Sequence, residues 1–252
     1  MSKGRHFLLI DIGNSRTKVA LSSEEELLSH LEISTSSLAA TKGEILFQGV
    51  SEWPCFDRVI LASVVPDCCA GIEKFFGERL LNISCRTKLG IGIDYPSPET
   101  IGADRLANSA AAVHLYGAPA VVVDFGTALT FDVVDASSRY IGGVIAPGLN
   151  AMTDYLHQKT ALLPSIELSE PDSVIGKSTL QAMLSGAVFG YRGLVEFILK
   201  EIQSTFPGKA KVIATGGYAE LISKKLPIIE VVSPHLTLEG LRIVAGLNAH
   251  SG

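Results

Sequence analysis

One short pattern occurs twice in this chain, at matching places in its two halves. Phe7-Leu8-Leu9-Ile10-Asp11-Ile12-Gly13-Asn14 is an apolar run ending in Asp-x-Gly-Asn, and Ala120-Val121-Val122-Val123-Asp124-Phe125-Gly126-Thr127 is an apolar run ending in Asp-x-Gly-Thr. The two aspartates lie 113 residues apart in a chain of 252. Each copy is followed by a second strand-like stretch, at 17–21 and at 129–134. A repeat of that length reorganises every later inference, because each copy must then seed its own sheet and core. The repeat predicts two similar lobes, 1–117 and 118–252. Hydrophobic residues at 47% and charged residues at 19% are ample for two packed cores.

The remaining periodicity supports α/β lobes with mixed sheets. Strands are expected at 6–12, 15–22 and 58–64, followed by a helix from Pro66 to about residue 81. A helix is expected over 101–116, with Leu106, Ala110 and Val113 on one face and Gly117 as its stop. In the second half, strands at 120–124, 128–135 and 139–146 precede a long helix over 179–205. A strand at 211–215 and a helix at 238–248 complete the chain. Ser185, Gly186, Gly190 and Gly193 give the long helix a small-residue stripe suited to close helix crossing, within the chain or between copies.

A glycine in a tight hairpin turn lets backbone N–H groups approach a phosphate, and an aspartate on the preceding strand can hold a metal ion through water. A single copy reads more readily as ordinary hairpin chemistry. Two copies in matching contexts point instead to a triphosphate gripped from both sides, as in actin-like ATPases and sugar kinases, which the repeat resembles. Thr215-Gly216-Gly217, after a strand, suits a flat turn beneath an adenine ring. Other nucleotide motifs fail: before Gly176-Lys177-Ser178 the required P-loop glycine falls on Pro171, and the segment from Gly142 to Gly148 is not Gly-x-Gly-x-x-Gly.

Asp104 falls in the first turn of the expected 101–116 helix, where the helix dipole favours an ionised carboxylate able to accept a proton from a hydroxyl. Arg105 can bind an anionic substrate group or the phosphate under transfer. The turn-rich stretch Tyr95-Pro96-Ser97-Pro98-Glu99-Thr100 precedes them.

The net charge is −5 and no Lys/Arg block is present, so no nucleic-acid surface is expected. Cys55, Cys68, Cys69 and Cys85 have neither Cys-x-x-Cys nor zinc-ligand spacing and read as idle thiols. No signal peptide or membrane span is read, and a cytoplasmic location is expected.

Three motifs, Asp11-Ile12-Gly13-Asn14-Ser15-Arg16-Thr17-Lys18, Gly102-Ala103-Asp104-Arg105 and Asp124-Phe125-Gly126-Thr127-Ala128, resemble the signatures of type III pantothenate kinases. The segment from Gly142 to Leu149, Thr160-Ala161-Leu162-Leu163-Pro164, Thr215-Gly216-Gly217 and Leu236-Thr237-Leu238-Glu239-Gly240-Leu241 are similar to further blocks of that family, in the same order. The resemblance implies two actin-like (ribonuclease H-like) lobes with a cleft between them. It implies ATP-dependent phosphorylation of pantothenate, the first step of coenzyme A synthesis, by a homodimer. ATP would be bound by Asp11, Ile12, Gly13, Asn14, Ser15, Arg16, Thr17, Lys18 and Thr127. Asp104 would accept the proton, and Tyr95, Gly102, Ala103, Asp104, Arg105 and Thr179 would contact pantothenate. Asp124 would hold a monovalent cation, potassium or ammonium, while magnesium would accompany ATP at Asp11, through water. Ser15, Leu129 and Ser178 stand where the family more often has Thr, Thr and Asn. Two alternatives stay open: a kinase of the same superfamily for another small hydroxyl substrate, and a non-enzymatic regulator on the same fold. The regulator predicts a degraded Asp104 or Asp11 and a basic surface, and the sequence has neither.

Overall fold

The computed structural model describes residues 5–249. They form two compact units. The first opens with β1 (Phe7–Ile12), β2 (Arg16–Ser22) and β3 (Leu27–Ser34), then α1 (Thr35–Ala40), α2 (Glu44–Gly49) and β4 (Arg58–Ser63). It continues through α3 (Cys69–Phe76), β5 (Leu80–Asn82), β6 (Gly92–Ile93) and α4 (Ala103–Tyr116). The chain then runs through β7 (Ala120–Phe125), β8 (Ala128–Val134), β9 (Arg139–Pro147), α5 (Leu149–Lys159) and α6 (Thr179–Ser204). It ends with β10 (Lys211–Thr215), α7 (Ala219–Ser223), β11 (Val231–Val232) and α8 (Leu236–Asn248).

The first sheet has strand order β3-β2-β1-β4-β5, antiparallel at β1–β2 and β2–β3 and parallel at β1–β4 and β4–β5. Alternate residues of β1 point to opposite faces. Leu8, Ile10 and Ile12 enter a core with Leu38, Leu46 and Ile72. Phe7 and Leu9 enter another with Leu106, Leu241 and Val244. Because both faces are covered, β1 reads as an unbroken apolar run rather than an alternating one. The second sheet has order β11-β10-β7-β8-β9-β6, with β7, β10 and β11 parallel. In the second unit Val121, Val123, Phe131 and Val133 pack with Val188, Tyr191, Val195 and Leu199 of α6.

The repeat is visible in burial as well as in sequence. β1 and β7 share one pattern, four buried residues, a half-buried aspartate and a buried residue, and β2 and β8 share another. The offset is 113 residues from Asp11 to Asp124 but 112 from Arg16 to Ala128, so the second turn is one residue shorter.

Several expectations are corrected. The helix expected from Pro66 to residue 81 ends at Phe76, because Gly77 takes φ +53 and Leu80 and Leu81 pair with Val59 and Ile60 as β5. α4 starts at Ala103 rather than 101, since Ile101 is extended. The units also divide differently from a cut after residue 117. The first comprises the described residues up to Ala118, Val134–Gly142 and those from His235 onward. A β-carbon on Gly240 of α8 would lie 2.1 Å from the carbonyl oxygen of Ala107 in α4. That near contact of two helix backbones binds the C-terminal helix to the first unit.

Of the two crossings left open for the small-residue stripe of α6, one within the chain is not seen at its glycines among the described residues: beyond the helix's own backbone, a β-carbon on Gly186, Gly190 or Gly193 would meet nothing within 4 Å. α6 agrees in extent with the long helix expected over 179–205 and holds a stretch of mean hydropathy 1.3. Its buried Val188, Tyr191, Val195 and Leu199 make it the central helix of the second unit's core.

Candidate active site

The first turn joins β1 to β2, with Asn14, Ser15 and Arg16 exposed at its tip. Gly13 N–H donates to the Arg16 carbonyl at 3.0 Å, so the glycine amide closes the turn and is not presented outward. Thr35, at the start of α1, fastens the turn from below. Its hydroxyl donates to the Gly13 carbonyl at 2.7 Å, and its N–H donates to the Ser15 carbonyl at 3.1 Å. Thr17 is fully buried and its hydroxyl lies 3.1 Å from that of Thr35. Ile12 is buried as well. The side chains of Ile12 and Thr17 therefore shape the turn, while those of Asn14, Ser15 and Arg16 face solvent. Lys18 is half-buried and pairs with Asp11 across the two strands.

The second turn is closed by Gly126 N–H donating to the Ala128 carbonyl at 3.2 Å, with Thr127 exposed at the tip. Two glycines press against it. A β-carbon on Gly148 would lie 2.3 Å from the Thr127 carbonyl oxygen, and one on Gly216 would lie 2.6 Å from Oδ1 of Asp124. Gly216 has φ +91, a conformation that favours glycine. Thr215 pairs with Asp124 in the β7–β10 register, and its buried hydroxyl has no hydrogen-bond partner among the described residues. The expected adenine turn thus lies directly against the expected cation ligand.

Asp104 is half-buried in the first turn of α4, with Gly102 at the N-cap. Oδ1 of Asp104 accepts from the Arg105 backbone N–H at 2.8 Å. Burial raises the pKa of this carboxyl above its ordinary value, against the opposing pull of the Arg105 N–H and guanidinium. Desolvation thus acts against the helix dipole, which on the sequence reading favours the ionised carboxylate. Val64 links this corner to the first turn: its N–H donates to the Ile12 carbonyl at 3.1 Å, and its side chain lies 3.6 Å from the β-carbon position of Gly102. A cavity of about 500 Å³ opens beside Gly102 and Ala103, bounded also by Ser63, Ser84, Arg86 and Thr100. Tyr95, 37% exposed, leans on the buried Tyr140, as does Arg105.

The structure thus groups Asp11, the first turn, Tyr95 and Gly102-Ala103-Asp104-Arg105 in the first unit, and Asp124, Thr127 and Thr179 in the second. Thr179 is the first residue of α6, capped by Ser178, whose hydroxyl accepts from Gln181 N–H at 3.2 Å. It borders an apolar groove of about 350 Å³ with Met152, Leu156 and Met183. Sequence reasoning missed Thr35 and Tyr140, which carry no local motif. It quoted Gly148 and Gly216 without seeing that they brace the second turn.

The sequence model of the type III pantothenate kinase family matches residues 7–201. A type III pantothenate kinase of Akkermansia muciniphila is 48% identical over 243 residues, covering 96% of this chain and 99% of its own. One from Methylacidiphilum infernorum is 46% identical over 239 residues, covering 94% and 87%. Among solved structures, the inorganic polyphosphate/ATP-glucomannokinase of Arthrobacter sp. strain KM aligns over 97% of this chain and 99% of its own, with a TM-score of 0.53 and 15% identity. That likeness shows the actin-like sugar-kinase fold, two α/β units with mixed sheets flanked by helices. The family match over most of the chain and the high identity to these relatives establish that this chain belongs to the type III pantothenate kinase family.

Proposed function

We propose that this protein transfers the γ-phosphoryl group of ATP to the primary hydroxyl of pantothenate, forming 4′-phosphopantothenate and ADP in the first step of coenzyme A synthesis. Asp104 is the observation that carries the mechanism. A half-buried carboxylate with a raised pKa is a better proton acceptor than an ordinary one, and it sits in a first helical turn notched by Gly102. The hydroxyl oxygen forms a bond to the γ-phosphorus, the bond from that phosphorus to the bridging oxygen breaks, and Asp104 takes the hydroxyl proton. Phosphoryl transfer has a loose transition state, so positioning and charge neutralisation contribute most.

Asn14, Ser15, Arg16 and Lys18 on the first hairpin, with Asp11, Ile12, Gly13 and Thr17 shaping it, hold ATP together with Thr127 on the second. Tyr95, Gly102, Ala103, Arg105 and Thr179 contact pantothenate. Among the described residues no group of three or more His, Cys, Asp or Glu converges, so any ion at Asp11 or Asp124 would take its other ligands from water and phosphate. Such a donor set would suit hydrated magnesium at Asp11 and a monovalent cation at Asp124, whose register neighbour Thr215 has a buried hydroxyl with no hydrogen-bond partner among the described residues. These ions would neutralise phosphate charge. The protein acts in the cytoplasm as a homodimer. Exposed Tyr155, Leu162, Ile175 and Leu180 in the second unit give such an assembly apolar surface to cover.

A coupled ADP-release assay across candidate hydroxyl acceptors tests the reading. Pantothenate should be the acceptor that drives ADP formation, and a panel in which another small alcohol does so and pantothenate does not would overturn it.

A further inference from the structure

Tyr140 is the second residue of β9, pairs in register with Ile93 of β6, and is 1% exposed. Its ring supports two side chains that come from separate segments. The ring of Tyr95 stands nearly edge-on to it, with centroids 6.0 Å apart and planes at 72°. The guanidinium carbon of Arg105 lies 5.8 Å from its centroid. Both geometries are directional: aromatic pairs favour the edge-to-face arrangement, and a cation is drawn to the ring face.

The loop carrying Tyr95 is also tied to the same strand. Asp94 N–H donates to the Tyr140 carbonyl at 2.9 Å, and the Asp94 carboxylate pairs with Arg139 at 2.9 Å. Gly142, further along β9, has φ +127, and a β-carbon there would come within 3.7 Å of the Tyr95 ring. Backbone and ring contacts together aim Tyr95 from a strand that holds none of the expected site residues.

We infer that Tyr140 is a positioning residue for the acceptor. Its buried ring orients Tyr95 and Arg105 together, and so sets the affinity for the acceptor without touching it. The inference rests on the acceptor role given to Tyr95 and Arg105 above. It assigns the effect to the aromatic ring rather than to the phenol hydroxyl.

Steady-state kinetics of the full chain with Tyr140→Phe and Tyr140→Leu, varying pantothenate and ATP separately, test it. Tyr140→Leu should raise the KM for pantothenate about tenfold and leave the KM for ATP within about twofold. Tyr140→Phe should stay within about twofold of wild type on both. Should Tyr140→Leu not fold, a trifluorinated phenylalanine at position 140 keeps the ring's shape while draining charge from its face, and should raise the pantothenate KM about threefold over Tyr140→Phe. An unchanged pantothenate KM in the ring-altered protein, an equal shift in the KM for ATP, or a Phe variant as impaired as Leu would each overturn the inference. A wild-type protein that leaves pantothenate unphosphorylated overturns the acceptor reading too, and is told apart because it fails before any substitution is made.

Discussion

A β-carbon on Gly102 would stand 2.5 Å from Oδ1 of Asp104, closer than any side chain tolerates. The glycine is therefore the space in which the carboxylate turns back over its own helix end to meet the Arg105 N–H. Gly102 has φ −58, so its need for glycine is steric and not conformational. Gly102→Ala should leave the fold intact and displace the carboxylate. A displacement on the order of 1 Å predicts about a 10²-fold loss of turnover, read from kcat with the melting temperature as a control.

Asp104→Asn should lower turnover about 10²–10⁴-fold. The same substitution should not destabilise the protein. A carboxyl whose folded pKa is raised by burial costs stability as pH rises through the interval between its unfolded and folded values. The variant should then melt at or above the wild-type temperature at neutral pH, with the gap closing below the usual carboxylate range. Thermal melts across pH check this, and the acid limb of the wild-type rate profile should lie above the ordinary aspartate value.

Arg192 of α6 is 5% exposed and forms two hydrogen bonds with the Glu170 carboxylate, at 3.1 and 2.6 Å, while Lys225 pairs with the same group at 2.8 Å. Arg192 and Lys225 hold the Glu170 pKa down to about 2. Glu170→Gln leaves a buried guanidinium without its counter-charge and should cost about 3 kcal/mol in urea unfolding. Because the folded pKa is depressed, the wild-type advantage is present above the ordinary glutamate value and disappears as pH falls toward 2.

Gly216→Ala meets both a left-handed backbone and the Asp124 carboxylate. It should raise the KM for ATP and weaken activation by potassium while sparing the KM for pantothenate, because Asp124 and Gly216 share one unit and Asp104 lies in the other. Activity titrated with potassium chloride against sodium chloride reads the difference.

What the sequence disclosed follows from how local each signal is. The twin Asp-x-Gly turns are contiguous motifs on fully buried strands, so their apolar runs stand out. β3 was hidden because Leu27–Ser34 is an exposed outer strand with serine, histidine and glutamate along it. β5 was hidden because a three-residue strand follows an apolar helix without any break but Gly77. The return of α8 to the first unit depends on Gly240 meeting Ala107, residues 133 apart in sequence, and no window holds both. The site shows the same division. Asp104 and the two turns are readable, while Thr35 and Tyr140 act through space on segments they do not adjoin. The raised pKa of Asp104 comes from burial, which a helix-dipole argument made from sequence does not contain.

The most direct test of the account is the mass of pantothenate after incubation with ATP, magnesium and potassium, using wild type and Asp104→Asn in parallel. Wild type should add one phosphoryl group to pantothenate while the variant, equally folded, adds almost none. Phosphorylation by Asp104→Asn at the wild-type rate, or none by wild type, would contradict it.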